Sequence, residues 1–120
     1  MNAKTTGFAS PALGYEVDAI DLNSLLIHNP PATYYMRLVS SEMAALGLPE
    51  GSLLIVDRSI PPAINSFVLI RHEGQFLCRM FTKQGNKPIF TNGKEETNPT
   101  EETEIIGVIT ASIKTYDHAY

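Results

Sequence analysis

The sequence has a single cysteine, Cys78, which excludes an internal disulfide and any Cys-clustered zinc site. Its histidines, His28, His72 and His118, lie far apart and share no ligand spacing, so neither a metal nor a cofactor is expected. Positive charge is also short. Nine basic residues against thirteen acidic ones give a net charge of -4 and a pI near 5.2. A free-standing module that grips nucleic acid through its phosphates needs the opposite balance, so strong direct nucleic-acid binding is not expected and any role on DNA would be indirect. No apolar run approaches the ~18 residues of a membrane span, and Met1 to Thr6 holds no stretch suited to a signal peptide. The expectation is a cytoplasmic protein without membrane contact.

What is present is enough for one core. At 120 residues and 43% hydrophobic content, the chain has room for one domain. Residues 1–20 carry Gly7, Pro11 and Gly14 among small residues with no sustained period, and read as an extended arm ahead of a body over residues 21–120. Asp21 is a good N-cap for one short helix running to Ile27, with Leu22, Leu25 and Leu26 on one side and Pro30-Pro31 beyond its end.

Beyond Thr33 the pattern changes to short runs rich in β-branched and aromatic residues. Strands are predicted at Tyr34–Val39, Leu53–Asp57, Phe67–Arg71, Phe76–Phe81 and Ile105–Ile109, bounded by Gly and Pro turns. The class is mainly β, a single antiparallel body. Glu73-Gly74 and Asn92-Gly93 stand where tight hairpins need positive φ. Lys94 to Glu104, with five glutamates, reads as a solvated loop.

Four segments then become specific: Gly7-Phe8-Ala9-Ser10-Pro11-Ala12, Ile20-Asp21-Leu22-Asn23-Ser24-Leu25-Leu26-Ile27, Ala32-Thr33-Tyr34-Tyr35-Met36-Arg37 and Gly51-Ser52-Leu53-Leu54-Ile55-Val56-Asp57. In order and spacing they resemble the LexA/UmuD family of self-cleaving serine peptidases of the bacterial SOS response. The likeness continues through Gly74-Gln75-Phe76 and Glu104-Ile105-Ile106-Gly107-Val108. It implies the curved antiparallel β fold of the family's C-terminal peptidase domain, with no helix-turn-helix before it.

The family's chemistry is a serine nucleophile activated by a lysine base. Its nucleophile lies in a Ser-Gly-Asp-Ser-Met pattern, where this chain reads Val39-Ser40-Ser41-Glu42-Met43, so Glu42 takes the serine position. Its base follows a Gly-Glu-Phe turn, where this chain reads Gly74-Gln75-Phe76-Leu77-Cys78-Arg79, so Arg79 takes the lysine position. A carboxylate has no hydroxyl proton to lose and repels a nearby oxyanion. A guanidinium holds its proton at neutral pH. The resemblance therefore implies a degenerate dyad and no catalytic residue. Asn65-Ser66 also departs from a Gly-Asp pair, and Ser52 replaces the acid of a second such pair.

If the backbone is kept, Glu42 and Arg79 face each other and invite a carboxylate–guanidinium pair; the alternative is a snorkelling arginine and a solvated glutamate. Ser40 or Ser41 with Lys83 as base is a further alternative, disfavoured because a one-residue shift along an extended segment turns a side chain to the other face. Cys78 reads as a buried small hydrophobe. The family's cleavage bond falls at Thr6-Gly7, as a vestige with five residues before Thr6-Gly7 is completed by Thr6 itself, so the chain is expected either to be made in the processed state or to be a trimmed form. By the same likeness the expected partners are a second copy in a homodimer, a UmuC-like translesion polymerase and, through it, a RecA filament. The competing function is a regulatory pseudo-peptidase that heterodimerises with an active UmuD or LexA-like protein; an active peptidase is the least favoured.

Overall fold

The computed structural model describes residues 21–116, and the Thr6-Gly7 bond and the arm lie outside them. One short helix, α1 (Leu22–Leu26), precedes seven strands: β1 (Thr33–Arg37), β2 (Leu53–Asp57), β3 (Phe67–His72), β4 (Gln75–Gln84), β5 (Lys87–Thr91), β6 (Glu96–Thr97) and β7 (Thr103–Ile113). Every pairing is antiparallel, and the sheet order is β1-β2-β7-β3-β4-β5-β6. The mainly β class and the single short helix are as the sequence reads.

Asp21 caps α1 as its residue type suggests, accepting from the backbone N–H groups of Asn23 and Ser24. The helix nevertheless buries nothing: Leu22 and Leu25 stay exposed. A five-residue helix is too short to be stable alone, so the cap and its connections fix it here.

Long β7 ties the sheet together. Its first half pairs with β3, from Thr103 opposite His72 to Val108 opposite Val68, and its second half pairs with β2, from Val108 opposite Asp57 to Ile113 opposite Leu53. Register shifts, between Ile55 and Val56 on one side and between Leu69 and Ile70 on the other, bend the strand at both junctions. Gly107 lies between them. A Cβ there would stand 2.8 Å from Val56 Cγ1 and 3.0 Å from the Asp57 carbonyl oxygen.

The bend separates two apolar clusters. One gathers Leu38, Met43, Leu48, Leu54, Val56, Leu69, Cys78 and Ile109. The other gathers Val68, Ile70, Phe81, Phe90 and Val108, with Phe81 and Phe90 opposed in the ladder and their rings 5.8 Å apart. Alternation explains the division: Val68 and Ile70 enter one cluster, Leu69 between them the other.

Several details differ from the sequence reading. Glu73 and Gly74 do take positive φ, 51° and 82°, and close the β3–β4 hairpin in two residues. At Asn92-Gly93 only the glycine does, and the connection spans Asn92 to Glu95, because the Asn92 side chain accepts from the backbone N–H groups of Lys94 and Glu95. The second two-residue turn is Gly85-Asn86, with positive φ at the glycine alone. It launches β5, which the sequence reading omitted since Pro88 interrupts the run. Pro88 is tolerated because it pairs with Lys83 on one side while β6 reaches only Phe90 and Thr91 on the other. The glutamate-rich stretch is not all loop: Glu96 and Thr97 form β6, and β7 begins at Thr103.

Candidate functional site

The segment between β1 and β2 is held by its own backbone. Leu38 N–H donates to the Ser52 carbonyl at 2.9 Å and Gly51 N–H to the Leu38 carbonyl at 2.7 Å, which closes the loop at its base. Inside it, a tight turn over Ala44–Leu46 ends at Gly47 with φ 91°. The Met43 side chain is wholly buried and Leu48 nearly so. With its neighbour pinned in the core, Glu42 is set at the loop's inner rim.

Arg79 reaches the same place from β4. Its Nη1 donates to Glu42 Oε2 at 3.4 Å and to the Cys78 carbonyl oxygen at 2.8 Å. The Arg79 side chain is 9% exposed and the Glu42 side chain 50%. The arginine is therefore the fixed partner and the glutamate the solvated one. At half exposure such a pair contributes about 0.5–1 kcal/mol.

The pair borders a groove of about 270 Å³ lined by Met36, Leu38, Val39, Met43, Leu77 and Phe76 among others. Ser40 also lines it, whereas Ser41 is exposed outside that lining and Lys83 sits opposite Pro88 further along β4. The proposed Ser40 or Ser41 alternative with Lys83 is thus not brought together here. Two groove residues that the sequence reading passed over, Val39 and Phe76, are 79% and 59% exposed. Their only signal was an apolar residue at a strand end beside a turn.

Burial pushes the Cys78 thiol up to about 12, only partly opposed by the neighbouring Arg79 charge, so it is a packed hydrophobe rather than a nucleophile. The other departures also find local partners. Ser52 is buried and donates its hydroxyl to the Pro49 carbonyl at 2.7 Å. Asn65 has φ 71°, a left-handed conformation that asparagine tolerates better than most residues. Asp57 accepts from the Ser59 hydroxyl at 2.6 Å, which with the Ser59 N–H holds its carboxyl below the usual range.

Residues 1–110 match the Peptidase S24-like family. The chain is 34% identical over 108 residues to the protein SamA of Salmonella typhimurium, covering 89% of this chain and 77% of SamA. It is 32% identical to the protein ImpA of Escherichia coli, covering 87% of this chain and 74% of ImpA. It is 30% identical to the protein MucA of Escherichia coli, covering 91% of this chain and 78% of MucA.

Proposed function

The chain belongs to the S24-like, LexA/UmuD peptidase family, and from that premise we propose that it is a non-catalytic UmuD-like subunit of SOS mutagenesis that binds a UmuC-like translesion DNA polymerase as a homodimer. The observation that carries this reading is the contact of Glu42 with Arg79. The two residues aligned with the family's nucleophile and base are a carboxylate and a guanidinium, and they neutralise each other at 3.4 Å. Neither can supply the activated hydroxyl that acyl transfer requires.

A homodimer is supported by an open edge. The half of β7 from Ile109 to Ile113 pairs with β2 alone, and β3 ends its pairing at Val68. Unpaired N–H and C=O groups on a strand edge seek a second strand. A two-fold copy of the same segment satisfies both chains at once.

The test is co-purification of the full chain with UmuC-like polymerases. A stoichiometric complex supports the reading. Binding only to a dyad-bearing homologue would replace it by the regulatory one.

A further inference from the structure

The groove beside Glu42 and Arg79 is apolar at its floor and cationic in balance. Its charged lining residues are Arg37, Glu42 and Arg79, one carboxylate against two guanidinium groups, in a chain whose net charge is -4. Both contacts of the Arg79 guanidinium, to Glu42 and to the Cys78 carbonyl, are made by Nη1. Among the described residues no buried side-chain nitrogen lacks a partner, so the Nε and Nη2 hydrogens reach the open groove rather than the sealed core. A guanidinium with one edge engaged and another open is built to take a second carboxylate in a two-point contact. Around it, Val39 and Phe76 keep large apolar surfaces in water at the groove's rim. Exposed apolar surface around a shielded polar anchor is the pattern of a docking site.

From this we infer that the groove binds a peptide segment of a partner protein in which an aspartate or glutamate, flanked by apolar residues, seats its carboxylate on Arg79. The inference rests on the non-catalytic reading above: with Glu42 and Arg79 as they are, a segment that enters is held and not cut. Glu42 then acts as the resident competitor. Being half solvated, it yields its place on the guanidinium at little cost, and the incoming carboxylate takes over the charge pairing.

The experiment is panning of a random octapeptide display library on the immobilised full chain. Fluorescence anisotropy with the enriched peptide follows, on the parent and on Arg79→Met, Glu42→Gln and Phe76→Ser. Enriched peptides should carry Asp or Glu next to an apolar residue. Arg79→Met should weaken binding by about tenfold, as expected for a lost charge-assisted contact, and Glu42→Gln should strengthen it. Phe76→Ser alters only an exposed side chain, so its loss of affinity reports on the groove even where Arg79→Met fails to fold. Peptides without an acidic residue, peptides copying this chain's own sequence, or affinities unmoved by Phe76→Ser overturn the inference. Mass spectrometry of the bound peptide separates the two claims: a cut peptide refutes the non-catalytic reading and leaves groove binding standing, while an intact peptide of the wrong chemistry does the reverse.

Discussion

Glu42 and Arg79, 37 residues apart in the chain, meet through one guanidinium nitrogen that also donates to the Cys78 carbonyl, so the arginine is anchored to its own strand whether or not the glutamate is there. The pair is therefore asymmetric. Removing Glu42 leaves a guanidinium with a remaining acceptor and access to the groove, whereas removing Arg79 strips a buried carbonyl of its donor and vacates a packed site.

In a double-mutant cycle, Glu42→Gln should cost about 0.5–1 kcal/mol and Arg79→Met about 2 kcal/mol or more. The coupling between them should be about 0.5–1 kcal/mol, limited by the exposure of Glu42. Urea unfolding of the three variants measures it. Strictly additive losses would mean the contact carries no free energy.

No self-cleavage is expected. Intact-mass analysis after incubation at alkaline pH, or with RecA, nucleotide and single-stranded DNA, should show one undiminished species. Loss of an N-terminal fragment that persists in Glu42→Ala would move attention to Ser40, the serine that lines the groove.

Cys78 should resist thiol reagents in the native protein and react promptly in denaturant. Its raised pKa means that between the model value of 9.0 and about 12 the folded state binds more protons than the unfolded one. Stability should therefore fall as pH rises through that window, and Cys78→Ala should flatten the fall.

Asp57 carries the opposite sign. The Ser59 hydroxyl and N–H lower its pKa from 3.8, so its contribution is present above that value and is lost as pH falls below it. Ser59→Ala should move the carboxyl titration, followed by NMR, back upward.

Gly107→Ala should be among the more damaging small changes. The added methyl meets Val56 and the Asp57 backbone, and backbone cannot step aside as a side-chain tip can, so a loss of about 1–3 kcal/mol is expected. Gly85→Ala, with no atom within 4 Å of its added Cβ but φ 62°, tests strain alone and should cost less. The oligomeric state has its own test: light scattering should give a dimer, and Ile113→Glu, placing charge on the open half of β7, should give a monomer.

The sequence by itself determined the β class, four of the strands nearly to the residue, the capped helix and the Glu73-Gly74 turn, because these depend on local periodicity, capping and φ preference. Its order of motifs also placed Glu42 and Arg79 in correspondence across a gap of 37 residues. Tertiary structure alone decided the rest. Pro88 sits in a strand because β6 is too short to need its missing N–H. Val108 joins two half-sheets because bulges on both sides of it bend β7, a consequence of close contact at Gly107 that no local pattern encodes. The exposure of Val39 and Phe76 and the unequal burial of Glu42 and Arg79 follow from which neighbours the sheet brings over them. Local sequence fixes how a segment can bend; only the packing of segments distant in the chain decides what each side chain faces.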